Sequence, residues 1–322
     1  MDTVRIFQDP DICHNLWERF WPKDCIFDLW PVRACFMEHY RRPLYFMLAD
    51  RDYRESRLLA LTWIEEEGVF GHFPGETWQG KTWLEHNKIA GTGRRPIQML
   101  ADRLPDKCFV RYIDGDFLPA WESDVSVDET GYLFFPKQYD FSFENYKNAF
   151  PRKSLKKIDR EINGLHGQKV VFRHNHMADA GRMFEMNLSA FGETSYFYDR
   201  RFFNAFVDLL SFLDQNNLLR LTSVTVGGKL AAVDVGTLWN NTYTILAGAT
   251  DPDFPGVAKL INFHHIEWAC LRRLAAVDFL CGDFNWKSRF RLQPRPLYKI
   301  CSPELDAVTG FHANERALSC AV

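Results

Sequence analysis

The chain has 322 residues, a formal net charge of −3 and a hydrophobic share of 46%. This length exceeds one average domain and favours two, and the composition is that of a globular protein with a sizeable core. The slightly acidic balance argues against non-specific nucleic-acid binding, although it leaves room for a local basic patch.

The first half of the chain is predicted to mix helices with meandering strands. Strict alternation of strands and helices is absent, which favours an α+β arrangement over a doubly wound sheet. Asp11 is the predicted cap of the first helix. The predicted helices lie at 9–21, 31–40 and 95–104, and the predicted strands at 43–49, 58–64, 69–73, 107–113 and 132–135.

From Ser142 onward, the predicted elements change from meandering strands to a series of helices followed by a three-stranded meander. We therefore predict two domains, at 1–141 and 142–322. Gly227-Gly228 and Asn240-Asn241 read as tight turns between three strands of a meander. The predicted helices of this half lie at 143–150, 152–162, 178–191, 200–216 and 256–273, and the strands at 169–172, 219–226, 229–239, 242–248 and 276–280.

Residues 75–82 match the phosphate-loop pattern G-x-x-x-x-G-K-[S/T]. A functional loop needs a buried strand before it, small residues within it and a helix after it. Pro74 abuts the segment, Trp78 fills its centre, and the strand before it is the second arm of a short hairpin. We therefore predict a surface loop, with a nucleotide hydrolase as a remote alternative.

A strand, a polar turn and a Pro-Gly step lead into an apolar helix at 243–260. The first amides of a helix lack intrahelical acceptors, and the helix dipole makes that end partly positive, so it suits a phosphate or carboxylate. An ordinary strand-to-helix connection without a ligand is the plain alternative. A later strand ends at Gly282-Asp283, and Trp286 and Lys287 follow in a loop suited to a site. Asp283 and Lys287 could equally form an ion pair that fixes the loop.

Several of these segments resemble one family of enzymes. The segments are the basic run 152–160, Gly228-Lys229-Leu230-Ala231-Ala232, Asp251-Pro252 with Pro255-Gly256, and Asp278-Phe279-Leu280-Cys281-Gly282-Asp283 with Trp286-Lys287. They are similar to motifs of the GNAT-type acyltransferase superfamily in its two-domain, cellulose-biosynthesis-protein-like and Fem-like branch. The likeness covers residues 140–300 well and the first 140 in outline.

This resemblance implies two tandem GNAT-like domains, each a mostly antiparallel mixed sheet flanked by helices, with the reaction in or beside the second. It implies an amide-forming acyltransferase that moves an acyl or aminoacyl group to a small-molecule or peptide amine. The donor is acyl-CoA, such as acetyl-CoA, or aminoacyl-tRNA, because the Fem branch uses charged tRNA. Its pyrophosphate or another activated group would meet the helix start at Pro255, Gly256, Val257, Ala258 and Lys259. Only Gly256 and Ala258 echo the family's glycine-rich loop, so the donor stays open.

The reaction needs a deprotonated amine, an oxyanion donor and a positioned acyl group. Asp234 lies in mid-strand, where a carboxylate is uncommon, so it either lines a cleft as amine anchor or general base or is paired in the core. Asp283 is the second carboxylate candidate, and Tyr243 is the candidate proton donor to the leaving group. Of His264 and His265, one is expected to pack and the other to face solvent, without a metal. Residues expected to face the acceptor are Glu185, Tyr196, Tyr198, Trp286 and Lys287.

The eight cysteines are scattered and none forms a C-x-x-C pair, so neither zinc nor a redox motif is indicated. No signal segment and no membrane-spanning apolar run is visible, which predicts a cytoplasmic protein without a membrane partner. The main alternative to an enzyme is a non-catalytic binding or assembly protein on the same scaffold. The oligomeric state is left open.

Overall fold

The computed structural model of the protein describes residues 2–51, 55–115, 125–282 and 286–302. It confirms the predicted α+β class, with helices packed on mostly antiparallel sheets. The helices are Pro10–Phe20 (α1), Trp30–Tyr40 (α2), Arg94–Ala101 (α3), Phe143–Asn148 (α4), Arg152–His166 (α5), Ala178–Phe191 (α6), Arg200–Gln215 (α7), Val257–Leu271 (α8) and Trp286–Arg289 (α9).

The strands follow most of the predicted runs, with shifted ends. They are Asp2–Phe7 (β1), Leu44–Arg51 (β2), Glu55–Ile64 (β3), Val69–His72 (β4), Thr77–Trp78 (β5), Lys81–Thr82 (β6), Ala90–Gly91 (β7), Phe109–Ile113 (β8), Val125–Phe134 (β9), Val170–His174 (β10), Leu219–Val226 (β11), Lys229–Trp239 (β12), Thr242–Thr250 (β13), Ala276–Asp278 (β14) and Gln293–Cys301 (β15).

The chain divides into two compact units. The first consists of the described residues of Met1–Thr130, Asp199–Phe212 and Pro296–Ser319, and the second of those of Gly131–Tyr198 and Leu213–Arg295. The second unit therefore begins ahead of Ser142 and omits part of α7. The division into domains at 141 and 142 stays a prediction.

The first unit contains an antiparallel sheet in the order β1-β2-β3-β4, with β7 also paired to β3. Helix α1 packs on it through the buried ring of Trp17, which stacks on Trp21, the residue that follows the helix, with centroids 3.8 Å apart. The predicted cap of α1 was wrong. Asp9 rather than Asp11 accepts the first amide hydrogen bonds, because the helix begins one residue after Asp9, at Pro10.

The phosphate-loop match at 75–82 forms a small hairpin. Thr77 pairs with Thr82 and Trp78 with Lys81, and the chain reverses at the exposed residues Gln79 and Gly80. The next helix along the chain is α3, which begins at Arg94. The strand-loop-helix geometry that cradles a phosphate is therefore missing from this motif, and the remote alternative of a nucleotide hydrolase loses its basis.

The second unit contains a sheet in the order β10-β11-β12-β13-β14-β9. Helix α8 packs on β12, β13 and β14 and also against α5. Helix α5 is amphipathic, since Ile158 and Ile162 are buried and its basic side chains are exposed. Within the residues that the structure describes, no helix combines the length and apolar character needed to span a bilayer.

Candidate functional site

Strands β13 and β14 pair in parallel over only three residues. The pairs end at Thr244 and Asp278, where β14 stops, whereas β13 continues to Thr250. On its other side, β13 pairs with β12 through a bulge, because Gly236 faces Ile245 while Val235 faces Ala247. Beyond Thr244, one edge of β13 therefore has no strand neighbour among the described residues. Backbone groups along such an edge are available to a ligand.

Asp234 lies on β12 directly opposite Gly248 of β13. A Cβ atom added to Gly248 would lie 2.0 Å from Asp234 Oδ1, so this carboxylate oxygen occupies the space that a side chain would fill. The other oxygen, Oδ2, lies 2.9 Å from Nε2 of His265 on α8. The Asp234 side chain is 10% exposed and His265 is fully buried. Asp234 therefore has a partner in the core, which was one of the two sequence alternatives, and its role in a cleft stays a prediction.

Tyr243 lies beside this pair, with its ring centroid 5.2 Å from that of His265. A Cβ atom on Gly236 would come within 2.4 Å of the Tyr243 ring, so this glycine makes room for the phenol. Burial, followed by the charge of Asp234, raises the pKa of Tyr243 and keeps the phenol protonated. Its predicted role as proton donor stays a prediction.

The two adjacent histidines differ in surroundings. His265 packs in the core as expected of one of them, whereas His264 is half-buried rather than turned fully to solvent. The His264 ring stacks on Phe172 and His174, with centroids 4.0 and 5.3 Å away. Burial, followed by the proximity of His265, His174 and Arg220, lowers the pKa of His264 to about 3. The partnership of His265 with Asp234 was missed. Its only sequence signal is that a mid-strand carboxylate needs a partner, and a histidine lies on the apolar helix that follows.

The predicted donor-binding segment lies at the start of α8. Gly256 precedes the helix with φ of 95°, Val257 is buried, and Pro255 and Ala258 are exposed. The amides of Ala258 and Lys259 are among those with no intrahelical acceptor. A Cβ atom on Gly256 would lie 3.0 Å from the Glu161 carbonyl oxygen, so α5 packs closely here.

An ion pair joins Lys259 to Glu161 at the same corner between α5 and α8. The exposed side of α5 nearby is basic, and its members are Arg152, Lys153, Lys156, Lys157 and Arg160. Phosphate binding at this corner stays a prediction.

The residues predicted to face the acceptor fall into two groups. Glu185 is exposed and ion-paired with Arg182, Tyr196 is half-buried, and the exposed Tyr198 donates a hydrogen bond to Glu193 over 3.2 Å. The structure does not bring these residues against Asp234 through any described contact. Trp286 packs on Phe279 and Phe290 near the end of β14. Each of these substrate contacts stays a prediction.

Lys287 has an unexpected environment. Its buried ammonium group donates hydrogen bonds to the carbonyl oxygens of Phe279, Leu280 and Cys281, over 2.8, 3.0 and 2.6 Å. It therefore fixes the chain that leaves β14. Asp283, the second candidate carboxylate, lies outside the described residues.

Residues 152–288 match the profile of a family described as Acetyltransferase (GNAT) domain. FemX superposes with a TM-score of 0.58 at 10% identity, covering 95% of this chain and 99% of FemX. L-PGS from Bacillus licheniformis gives 0.54 at 8% identity, with 94% and 95% covered. The C-terminal domain of a putative lysylphosphatidylglycerol synthetase from Agrobacterium fabrum gives 0.51 at 9%, with 86% and 88% covered. No curated protein matches by sequence. At these identities the likeness is one of fold.

Proposed function

We propose that this chain, which has a GNAT-type fold of the two-domain, Fem-like branch, is an amide-forming acyl or aminoacyl transferase. The observation that carries the proposal is the parting of β13 from β14 beyond Thr244, next to the Asp234 carboxylate. Backbone N–H groups along a free strand edge can stabilise a developing oxyanion, and a nearby carboxylate can accept a proton from an amine.

In the proposed step, the amine nitrogen attacks the carbonyl carbon of a thioester or ester. A C–N bond forms, and the C–S or C–O bond to the carrier breaks. Asp234 accepts one proton from the nitrogen, and the departing sulfur or oxygen takes up another. Tyr243 is the proposed source of that second proton, because its ring lies beside the Asp234 partner His265. The proton accepted by Asp234 then restores the phenol, so both groups return to their starting states.

Two donor classes are compatible with the proposal. The matched GNAT domain supports an acyl-CoA donor, bound at the start of α8 through Pro255, Gly256, Val257, Ala258 and Lys259. The likeness to FemX and to a lysylphosphatidylglycerol synthetase supports an aminoacyl donor such as aminoacyl-tRNA. The exposed basic side of α5 would favour either, because both carriers are rich in phosphate. The acceptor is a small-molecule or peptide amine.

The experiment pairs the purified chain with a panel of acyl-CoA thioesters, a mixed aminoacyl-tRNA pool and a panel of amines, and detects amides by mass spectrometry. We expect product from one donor class. Asp234→Asn should lower kcat about 100-fold or more, the usual contribution of a general base. Asp214→Asn, the same change at an exposed position of α7, should leave kcat within about twofold.

Two other outcomes would decide against an enzyme. Absence of product with every donor, together with no thermal shift on adding any of them, would overturn the proposal. Donor binding without turnover, unaffected by Asp234→Asn, would instead favour the alternative of a non-catalytic binding or assembly protein.

A further inference from the structure

We infer that His265 is a positioning residue that holds the Asp234 carboxylate in the orientation needed for proton transfer from the amine. This inference rests on the proposed transferase function. It assigns a role to a buried histidine that no sequence motif marks, and it makes one oxygen of Asp234 structural and the other reactive.

The two side chains are joined by one hydrogen bond, in which His265 Nε2 lies 2.9 Å from Asp234 Oδ2. We assign the hydrogen to Nε2, because a carboxylate that acts as a base can only accept. Among the residues that the structure describes, His265 is the only hydrogen-bond donor to this carboxylate. Nδ1 of His265 is buried and has no described partner, so the imidazole has one polar contact and that contact is Asp234.

The remaining groups around His265 do not compete with it for the carboxylate. Tyr243 of β13 packs beside the imidazole, with centroids 5.2 Å apart, and His264 follows at 6.1 Å. From the outer strands, His174 of β10 stacks on His264, and Arg220 of β11 lies with its guanidinium carbon 3.6 Å over the Trp268 ring. The Tyr243 ring therefore supports the imidazole from one side, whereas the two outer-strand groups contact His264 and Trp268 rather than His265.

A fixed Oδ2 determines where Oδ1 lies. Gly248 opposite Asp234 has no side chain, and Oδ1 occupies that space on β13, the strand that has no described strand neighbour on its β14 side beyond Thr244. Without the His265 hydrogen bond, the carboxylate could rotate away from β13. Misplacement of a reacting group by about 1 Å can cost roughly 100-fold in rate. Loss of His265 should therefore affect kcat more than KM.

The test uses the full chain, its most rapidly converted donor and amine, and a pair of matched substitutions. His265→Gln keeps an amide nitrogen at the same number of bonds from the backbone as Nε2, whereas His265→Asn is one carbon too short to reach Asp234. We expect His265→Asn to lower kcat about 10- to 100-fold with KM within about threefold, and His265→Gln to recover most of the loss.

A double-mutant cycle separates positioning from a merely structural role. Combined with Asp234→Asn, His265→Asn should lower kcat by no more than about twofold further, because its partner is already disabled. If His265→Asn lowers kcat equally in the unmodified chain and in Asp234→Asn, or if the Gln and Asn variants have equal kcat, the inference is overturned. The proposed function still stands in that case, because the unmodified chain forms product. If the unmodified chain forms no product, the proposed function fails and the inference fails with it. Circular dichroism and melting temperatures verify folding, and His265→Leu, which lacks a hydrogen-bond donor, replaces the Asn variant in the cycle if that variant is unfolded.

Discussion

Glu76 is a buried carboxyl group in the first unit, only 2% exposed. Its Oε1 accepts hydrogen bonds from the amides of Trp83 and Leu84, over 3.1 and 2.7 Å, and from the Thr82 hydroxyl over 3.1 Å. Burial outweighs these donors and raises the pKa of Glu76 to about 7. The folded chain therefore keeps this proton at pH values where an unfolded chain releases it.

This residue predicts a specific dependence of stability on pH. Because the folded chain binds the proton more tightly, the free energy of unfolding falls as pH rises from about 4.5 to about 7, by on the order of 3 kcal/mol in total. Glu76→Gln should remove this fall. The free energy of unfolding of the variant minus that of the unmodified chain should therefore increase over this pH interval and stay constant above it. Urea unfolding between pH 5 and pH 8 measures this difference. Glu38→Gln, at an exposed position of α2, serves as the control, and a difference that does not vary with pH would contradict the prediction.

The residues also show what a sequence can reveal about a site. Asp234 attracts attention because a carboxylate in mid-strand needs either a partner or a ligand. Its partner His265 is hidden, since that choice depends on how α8 crosses β12. The three carbonyl groups that bind Lys287 are hidden as well, because the amino-acid sequence does not show where backbone carbonyl oxygens point.

At the scale of elements, the strand pairing around Gly248 gives the sharpest prediction. Gly248→Ala would place a methyl group 2.0 Å from Asp234 Oδ1, so the carboxylate must move. We expect kcat to fall about 10- to 100-fold. The free energy of unfolding should fall by about 1 to 3 kcal/mol, as for other overpacked sites. Steady-state kinetics and chemical denaturation measure the two effects.

Gly164→Ala is the matched control. Gly164 lies inside α5 with open space where its Cβ would be, so alanine there should raise the free energy of unfolding by about 0.5 to 1 kcal/mol. Its kcat should be unchanged. An unaltered kcat for Gly248→Ala would show that Oδ1 does not need its position beside β13.

Helices and meander strands followed their predicted ranges because apolar periodicity and paired turn residues act locally. Ala178–Phe191 and Lys229–Trp239 are examples. The early end of β14 at Asp278 and the bulge opposite Val235 and Gly236 could not be predicted, since both depend on pairing with distant strands. The early end of β14 leaves β13 without a strand neighbour beyond Thr244 among the described residues, so the candidate site depends on a feature that is hardly visible in the sequence.

At the scale of the molecule, the first unit includes a segment from far along the chain. Phe202 and Phe206 of α7 are buried there, and their rings lie 5.6 and 5.4 Å from the ring of Trp83. The change in the predicted elements at Ser142 is a local property of the sequence, whereas these contacts join residues more than a hundred positions apart. Local composition therefore places a boundary without showing which segments pack together.

A fragment that begins at the predicted boundary tests this organisation. Residues 142–322 alone would lack Tyr132 and Phe134, which belong to the core of the second unit, and would expose Phe202 and Phe206 without Trp83. Burial of one such aromatic side chain contributes about 1.5 to 3 kcal/mol, so the combined loss is comparable to the entire stability of a typical domain. We expect this fragment to show no cooperative thermal transition and to bind a hydrophobic dye, unlike the full chain. A fragment 131–322, which restores Tyr132 and Phe134, should bind less of the dye and recover part of the cooperative thermal transition. Cooperative unfolding of 142–322 near the melting temperature of the full chain would instead support the division at 141 and 142.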